Sequence, residues 1–308
     1  MLHRVALDPP RIALFADSTD GHANALEKRL IAQGASVCRA SLAACSFDTG
    51  APGGIRIPGL DGLPDAALVR TIPAGSFEAV TRRLGILHGL REAGVLVWND
   101  ARAIERCVDK STTTFLLAHN GIAVPPTWTV ERREEAEAIL RREEVHGPLV
   151  LKPLFGAQGK GLRLIRKADE LPPPEDVAGV YYLQRFMGLH RDGYRDHRVF
   201  VIAGRAVAAM SRRSDHWITN IKQGGEPEPV TPDDELCDIA VRATAAVGAD
   251  FAGVDILRHA PGGAVVLEVN SMPAWSGLRR VADIDIPLEI TRALIEATRA
   301  RAARRIAG

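Results

Sequence analysis

The sequence has 308 residues, which corresponds to about two folding units and leaves room for three small ones. Hydrophobic residues make up 46% and charged residues 25%, and the net charge of +1 argues against a strongly basic nucleic-acid-binding protein. No apolar run approaches the ~20 residues that span a bilayer. The charged residues Arg4, Asp8 and Arg11 interrupt the stretch where a signal peptide would be apolar. We therefore expect a soluble cytoplasmic protein with no nucleic-acid or membrane partner.

The first hundred residues alternate between short apolar runs and helical patterns. Strands are predicted at residues 12–15, around Val37, at 66–69 and at 95–98, with helices at 25–33 and 77–92. Short apolar strands separated by helices predict a parallel sheet that is covered on both faces. We expect residues 1–98 to form one α/β domain.

The order of predicted helices and strands changes after residue 98. Helices are predicted at residues 109–120, 132–144, 235–247 and from about 287 to the C-terminus. Strands are predicted at 148–152 and 162–165, on either side of a glycine-rich loop, and strands dominate from residue 181. The second part of the chain therefore contains both helices and strands, and the strands do not alternate regularly with helices.

The glycine-rich segment 152–161 reads K-P-L-F-G-A-Q-G-K-G. Its spacing matches neither a P-loop nor a dinucleotide-binding fingerprint, because a strand pattern follows it where those motifs open a helix. Backbone N–H groups of such a hairpin loop could close over phosphates, but glycines in hairpins are often only turn residues. Lys152 ends a strand that is predicted to be buried, and a buried ammonium needs an anion. That anion is either a bound phosphate or an internal carboxylate.

Three oxygen-bearing side chains occur in a predicted hairpin near the C-terminus. Glu268 and Asn270 are two residues apart in a strand and therefore share a face. A two-residue turn within 260–263 would place Asp255 opposite Asn270, and a four-residue turn would place it opposite Glu268. A three-residue turn would put Asp255 on the other face. Two carboxylates and an amide carbonyl on one face suit Mg²⁺, whereas the alternative is an exposed polar strand face.

An ordered set of motifs carries a resemblance to a known family. The set comprises Asp109-Lys110, Lys152 with its glycine loop, Gln184-Arg185-Phe186, Asp196-His197-Arg198, Arg212, Asn220, and Asp255 with Glu268 and Asn270. With these motifs the chain resembles the ATP-grasp superfamily and, within it, the RimK-type amino-acid ligases. These include glutamate ligases that act on peptides and on pterin or deazaflavin cofactors. The resemblance extends from about residue 66 to residue 277.

The resemblance implies a mixed α/β and α+β architecture, the ATP-grasp fold. An N-terminal α/β (pre-ATP-grasp) domain, 1–98, would precede a central lobe with the glycine-rich loop, 99–185, and a C-terminal lobe with the metal site, 186–308. The two lobes would clamp ATP between them. Family relatives are often dimers or tetramers, so a homo-oligomer is also an expectation.

The resemblance also assigns roles to residues. The residues expected to contact ATP are Lys110, Lys152, Gly156, Gln158, Gly159, Gly161, Gln184, Arg185, Phe186, Asp196, Ile218, Thr219 and Asn220. Asp255, Glu268 and Asn270 would hold Mg²⁺ or Mn²⁺, as two ions. Arg198, Arg212 and Asn220 would steady the transferring phosphoryl group or the acyl phosphate.

The activity implied by the resemblance is ATP-dependent ligation of a carboxylate to an amine through an acyl phosphate. L-Glutamate is the expected amine, and the acceptor is a peptide or cofactor carboxylate. The segment 268–278 departs from the N-x-x-P-G form of the ribosomal-protein ligases and looks more like relatives linked to methanopterin-type cofactors. Phosphoryl transfer needs mainly positioning and charge stabilisation, which two lysines, two arginines and a metal site supply.

Alternative interpretations exist for the function and for single residues. The same fold could serve a small-molecule kinase or a non-catalytic nucleotide-binding module. Lys110 could be a solvated helix lysine, and Asp196 with Arg198 could form a surface ion pair. Trp275 could pack in the core or stack on a planar substrate. Two departures from the family pattern are Ala157, where Ser or Thr is frequent, and Arg185, where an acidic residue is common.

Overall fold

The computed structural model describes residues 9–156, 158–188, 193–259 and 263–307, so that Ala157 and residues 260–262 of the predicted turn lie outside it. The chain forms two compact units. One unit consists of Met1–Arg102 with Asp285–Gly308, and the other of Ala103–Ile284. In the described part of the chain, no helix has the length and apolar character needed to cross a membrane.

The elements follow in chain order. The first are β1 (Arg11–Phe15), α1 (Gly21–Ala32), β2 (Ser36–Ala40), β3 (Ser46–Phe47), β4 (Ile55–Arg56), β5 (Ala66–Val69), α2 (Phe77–Glu92), β6 (Leu96–Trp98) and α3 (Ala101–Val108). Next come α4 (Lys110–His119), β7 (Thr127–Val130), α5 (Arg133–Glu143), β8 (Leu149–Lys152), β9 (Arg163–Ile165) and β10 (Tyr181–Arg185). The last are β11 (Tyr194–Ile202), β12 (Arg205–Ser214), β13 (Glu226–Pro229), α6 (Asp234–Val247), β14 (Phe251–His259), β15 (Gly263–Asn270) and α7 (Ile286–Ala307).

The first unit contains a parallel four-stranded sheet in the order β2-β1-β5-β6. The central strands β1 and β5 consist of buried apolar residues, except for Arg11 at the start of β1. Such strands are typical of a parallel sheet that is covered on both faces. The α/β character predicted for the N-terminal domain is confirmed. The sequence interpretation missed helix α3 and the two-residue strands β3 and β4, which form a separate antiparallel pair.

The terminal helix α7 belongs to the first unit, although the sequence places it at the end of the predicted domain 186–308. Its residues Ile286, Ile290 and Leu294 follow one another at four-residue spacing and are fully buried. Gln33 at the end of α1 donates from Nε2 to Thr291 Oγ1 over 2.6 Å. The helix joins this unit because its apolar stripe is buried there. The predicted boundaries at residues 98 and 185 stay predictions.

The second unit contains two antiparallel sheets. The first has the order β7-β10-β8-β9, and α5 packs against one face of it. Tyr181 and Leu183 of β10 lie in that packed cluster, so the intervening Tyr182 and the following Gln184 point to the opposite face. The second sheet has the order β13-β12-β11-β14-β15, with α4 and α6 packed against it. The face of each sheet away from its helices is thereby left for polar side chains.

The hairpin of β14 and β15 changes register along its length. Beside the turn, His259 pairs with Gly263, which corresponds to a three-residue connection. Further along, Asp255 pairs with Glu268. The shift lies between Asp255 and Ile256, where a β-bulge adds one residue to β15.

The bulge decides which side chains share a face. A regular strand after a three-residue turn would carry Asp255 to the face opposite Glu268, because side chains alternate with a period of two. The added residue restores the shared face. The predicted shared face of Asp255, Glu268 and Asn270 is confirmed. Of the two predicted pairings, Asp255 with Glu268 is observed, although the connection is not the four-residue turn from which it was predicted. The pairing of Asp255 with Asn270 is wrong, because Gly253 is the residue opposite Asn270.

The packing of α7 leads to a stability prediction. Leu294→Ala should lower the free energy of unfolding by about 2–5 kcal/mol, because it leaves a cavity beside a fully buried position. Urea unfolding followed by circular dichroism measures the change. Glu296→Ala, at an exposed position of the same helix, is the matched control and should change stability by less than about 0.5 kcal/mol. Equal effects of the two substitutions would show that α7 is not packed in this way.

Candidate active site

A cleft is lined by residues from both antiparallel sheets of the second unit. Most of the predicted site residues lie in its wall: Lys110, Lys152, Gly156, Gln158, Gly159, Gln184, Arg185, Phe186, Asp196, Arg212, Ile218, Thr219, Asn220, Asp255 and Glu268. Gly161, Arg198 and Asn270 are outside the wall. The cleft therefore brings together residues that are distant in sequence. Lys110 and Glu268, for example, are 158 positions apart.

Lys110 is the first residue of α4, and Asp109 caps that helix with its side chain. The Lys110 ammonium donates hydrogen bonds to the carbonyl oxygens of Leu154, at 3.3 Å, and Gly156, at 2.9 Å. Burial lowers the pKa of Lys110, although the nearby Glu268 and Asp109 carboxylates act in the opposite direction. The interpretation of Lys110 as a solvated helix lysine is wrong, since its ammonium bridges α4 to the glycine-rich loop.

Lys152 stands at the end of β8, whose other residues are buried as predicted. Its Nζ donates to Gln184 Oε1 over 2.6 Å and lies 5.9 Å from the ring centroid of Tyr182. Within the described residues Lys152 has no salt bridge, so an internal carboxylate does not neutralise it directly. Burial lowers the pKa of Lys152 to about 8, with Glu268 raising it and Lys110 lowering it further. A buried ammonium group without a carboxylate partner is suited to bind an anionic group of a ligand.

Asp255 lies in β14, an inner strand of the second sheet, and is only 3% exposed. Arg198 donates to both of its oxygens, from Nε to Oδ1 at 2.7 Å and from an η nitrogen to Oδ2 at 2.8 Å. Arg212 approaches Oδ2 at 3.0 Å. Burial alone would raise the pKa of Asp255, but the two guanidinium groups hold it at about 2. The carboxylate is therefore ionised at neutral pH.

Arg212 bridges two carboxylates and is 2% exposed. Its Nε donates to Asp196 Oδ1 over 2.7 Å, and an η nitrogen donates to the other oxygen of Asp196. Burial would lower the pKa of Arg212, but Asp196 and Asp255 raise it above its usual value. The alternative of a surface ion pair between Asp196 and Arg198 is wrong, because each residue has a different partner and the network is buried.

The remaining candidate metal ligands have oxygens without a hydrogen-bond partner in the described part of the chain. Glu268 forms no salt bridge or hydrogen bond within the described residues. Asn270 uses its amide nitrogen to donate to the Gly253 carbonyl oxygen at 3.3 Å, while its side-chain oxygen accepts no hydrogen bond from the described part of the chain. Two carboxylates and one amide oxygen therefore share this face, a donor set of the kind that Mg²⁺ binds. A cluster of three or more His, Cys, Asp or Glu side chains is absent from the described residues.

The departure at Arg185 has a structural explanation. Arg185 follows Gln184 in β10, so its side chain lies on the α5 side of the sheet, where it donates to Glu143. Burial would raise the pKa of Glu143, but Arg185 and Arg142 lower it. The guanidinium is thus neutralised by a helix residue that sequence reasoning missed. The residues are 42 positions apart, and the sequence contains no local signal for the pairing.

The glycine-rich loop approaches the segment after β12 closely. Gly159 has a φ of +71°, and a Cβ at this position would lie 2.6 Å from Asn220 Oδ1 and 2.9 Å from Ile218 Cγ2. Gln223 also donates to the carbonyl oxygen of Gln158 over 3.4 Å. A side chain at residue 159 would therefore both strain the backbone and push the loop away. The proposed contact of this loop with phosphates stays a prediction.

Aromatic side chains form one end of the cleft, and two of them were missed in the sequence. Trp217 meets Phe186 edge-on at a centroid distance of 5.9 Å, and Tyr194 lies 6.3 Å from Phe186. The available signal was the position of Trp217 directly before the predicted segment 218–220. Trp275, by contrast, is buried and contacts Phe200 edge-on at 6.4 Å, so it packs in the core.

The sequence matches the family model described as the RimK-like ATP-grasp domain over residues 107–294, which is more than half of the chain. The chain belongs to the RimK-like ATP-grasp family. The match covers the complete cleft described above. The resemblance predicted from the ordered motifs, and with it the ATP-grasp fold and the assignment to a family of ligases, is confirmed.

Relatives and solved structures agree with this placement. The chain is 39% identical over 226 residues to the tetrahydromethanopterin:alpha-L-glutamate ligase of Methanococcus maripaludis, with 71% of this chain and 75% of that protein covered. It is 34% identical to a probable alpha-L-glutamate ligase of Thioalkalivibrio sulfidiphilus, with 68% and 73% covered. The ATP-grasp ligase PsnB, solved with a minimal precursor, Mg and ADP, superposes with a TM-score of 0.72 at 24% identity, over 94% of this chain and 98% of PsnB. That structural likeness concerns the fold.

The lowered pKa of Lys152 predicts that the stability of the protein depends on pH. This pKa is about 8 in the folded protein and ordinarily 10.5, so the unfolded chain binds more protons between these values. The protein should therefore gain stability relative to Lys152→Met as the pH rises through this window, by about 2 kcal/mol between pH 7 and pH 10. Urea unfolding of both proteins at the two pH values measures the gain.

The matched control for this experiment is Lys167→Met, which changes an exposed lysine outside the cleft. Its stability relative to the unmodified protein should be independent of pH over the same range. If the difference between the unmodified protein and Lys152→Met were equally constant, Lys152 would have an ordinary pKa and would not be a desolvated cation.

Proposed function

We propose that this RimK-like ATP-grasp protein is an ATP-dependent ligase that joins a carboxylate to an amine through an acyl phosphate. The observation that carries the proposal is the charge arrangement in one cleft. Two desolvated ammonium groups, Lys110 and Lys152, face a surface with the carboxylates of Asp255 and Glu268. Such a site suits a polyphosphate with its metal ion, because the ammonium groups bind the phosphates and the carboxylates bind the metal.

The nucleotide would lie along the cleft between the aromatic end and the carboxylates. Phe186, Tyr194 and Trp217 offer the apolar surface that a purine needs, and the backbone beside Gln184 lines the same end. Lys110 and Lys152 would bind the phosphate oxygens, and the glycine-rich loop would cover them with backbone N–H groups. Gly161 does not line the cleft, so we assign it a role in loop shape rather than in direct contact.

The metal ion would be held by Asp255, Glu268 and Asn270. Their oxygens share one face of the β14–β15 hairpin, and Glu268 and Asn270 have oxygens that no described residue occupies. Mg²⁺ bound there would neutralise phosphate charge during transfer. A second ion and the use of Mn²⁺ are parts of the proposal that the donor set permits, since carboxylates can bridge two ions.

The reaction has two steps, phosphorylation of the acceptor carboxylate and attack of the amine on the acyl phosphate. An oxygen of the acceptor carboxylate attacks the γ-phosphorus of ATP, the bond from that phosphorus to the β,γ-bridging oxygen breaks, and ADP leaves. The amine nitrogen then attacks the acyl carbon, the C–N bond forms, the bond to the phosphate oxygen breaks, and inorganic phosphate leaves while the nitrogen releases its proton. Arg212, which Asp196 and Asp255 hold in place, would stabilise the charge that develops on the phosphoryl oxygens. Asn220, beside the loop, would donate to the same group.

Glutamate is the amine we propose, because both curated relatives reported above are named as alpha-L-glutamate ligases. The acceptor would be a cofactor or peptide carboxylate. The higher identity to the tetrahydromethanopterin enzyme favours an acceptor of the methanopterin type. The cytoplasmic location and the homo-oligomeric assembly stay predictions from the sequence.

A coupled assay tests the ligase activity. ADP release should require ATP, L-glutamate and an acceptor acid together, and mass spectrometry should detect a product heavier than the acceptor by one glutamyl residue. Hydroxylamine in place of glutamate should trap the acyl phosphate as a hydroxamate. Lys152→Met should lower kcat/KM by about 100-fold or more, because charge stabilisation at the phosphates is lost.

The control is Lys167→Met, which should retain the activity of the unmodified protein. Other outcomes would contradict the proposal in distinct ways. Formation of AMP rather than ADP would exclude the acyl-phosphate route. A stable phosphorylated product without an amide would indicate a kinase, and tight ATP binding without turnover over a broad panel of acids and amines would indicate a nucleotide-binding module.

A further inference from the structure

Arg198 binds the carboxylate of Asp255, which the proposed function assigns as a ligand of the metal ion. Its Nε and one η nitrogen bond separately to Oδ1 and Oδ2 of Asp255, at 2.7 and 2.8 Å, in a bidentate arrangement. Arg212 forms a salt bridge with Oδ2 at 3.0 Å. Both oxygens of the Asp255 carboxylate are therefore engaged by guanidinium groups. In this state Asp255 offers little to a divalent cation.

The two arginines differ in how firmly they are held. Arg212 has a second carboxylate, Asp196, which accepts hydrogen bonds on both oxygens. Arg198 bonds to Asp255 alone within the described residues, and its side chain retains 12% of its exposure. Arg198 is therefore the arginine that can leave Asp255, whereas Arg212 would have to break two ion pairs. Their neighbouring strands, β11 and β12, keep the two guanidinium groups next to each other.

Separation of the Arg198 guanidinium from Asp255 is unfavourable unless another anion replaces the carboxylate. A guanidinium that loses its carboxylate in a partly buried site keeps a desolvation cost that nothing offsets. A divalent cation that entered beside an unmoved Arg198 would meet positive charge at short range. A bound triphosphate changes both conditions, because its oxygens offer Arg198 new acceptors and add negative charge to the cleft. Metal and nucleotide would then each bind more tightly when the other is present.

We propose that Arg198 is a positioning residue that holds Asp255 in the nucleotide-free protein and gives it up to the metal ion only when a nucleotide triphosphate is bound. The proposal rests on the proposed function, since it takes Asp255 as a metal ligand. It makes metal binding to the free protein weak and couples it to the nucleotide. Arg198 would thereby prevent metal ions from occupying an empty site and would be released toward the phosphates at the time when they need a cation.

The test measures Mn²⁺ binding without turnover. Free and bound Mn²⁺ are quantified by electron paramagnetic resonance in the absence of nucleotide. Arg198→Gln should bind Mn²⁺ roughly tenfold or more tightly than the unmodified protein, because the competing guanidinium is gone. The double variant Arg198→Gln with Asp255→Asn should lose this gain, which would locate the ion at Asp255. Unchanged binding of Mn²⁺ in Arg198→Gln would overturn the proposal.

Two further variants control for charge and folding. Arg213→Gln removes an arginine on the same strand as Arg212, one that forms exposed ion pairs with Glu226 and Glu228, and should leave Mn²⁺ binding unchanged. An equal gain in this variant would assign the effect to net charge and overturn the proposal. If Arg198→Gln does not fold, Arg198→Lys replaces it, since lysine keeps the charge but cannot bind both oxygens bidentately. Arg198→Lys should then show a smaller gain, and no gain would count against the proposal.

A second titration separates failure of this inference from failure of the proposed function. The Mn²⁺ complex of the non-hydrolysable analogue AMP-PNP is titrated into the unmodified protein by calorimetry. Binding of the complex, together with no gain in Arg198→Gln alone, would reject the role of Arg198 and leave the ligase intact. No binding of the complex would reject the metal–nucleotide site itself.

Discussion

The carboxylate of Asp255 is only 3% exposed, and a buried carboxylate stays ionised only when cations contact it. The structure of the second unit depends on the cations that meet this requirement. Two arginines on neighbouring strands meet it. The strands β11, β12 and β14 must lie side by side in the observed register for both guanidinium groups to reach one carboxylate. The same pairing places Asp196 beside Arg212, so the buried charges form one connected network rather than isolated pairs.

The chemistry of the cleft follows from a separation of charge between two sheets. One sheet and the helix before it contribute desolvated ammonium groups at Lys152 and Lys110, and the other contributes the carboxylates of Asp255 and Glu268. Neither set is neutralised by the other through direct bonds, although Glu268 acts on the pKa of both lysines. A ligand with phosphates and a metal ion would complete both sets. An unfavourable arrangement in the free protein thus becomes a specific binding surface, which agrees with the general tendency of functional sites to depart from optimal stability.

The sequence predicted features that depend on local periodicity and missed those that depend on distant partners. Strand 66–69 and helix 77–92 were predicted at their observed bounds because their apolar spacing or capping is local. The shared face of Asp255 and Glu268 was predicted, but the bulge that produces it has no local signal, because it arises from the pairing of two strands. The partners of Arg185 and Arg198 lie 42 and 57 residues away and could not be read from the sequence. Helix α7 was predicted as a helix, and only tertiary packing shows that it belongs to the first unit.

In the proposed function, Asp255, Glu268 and Asn270 bind the metal ion of a nucleotide whose phosphates contact Lys110 and Lys152. The most direct measurement is a crystal structure with Mn²⁺ and AMP-PNP, in which the anomalous signal of Mn²⁺ locates the ion independently of the refined coordinates. We expect an anomalous peak within coordination distance of Glu268 and Asp255, with both ammonium groups on phosphate oxygens and Arg198 turned away from Asp255. A peak elsewhere, or phosphates bound away from the two lysines, would contradict it.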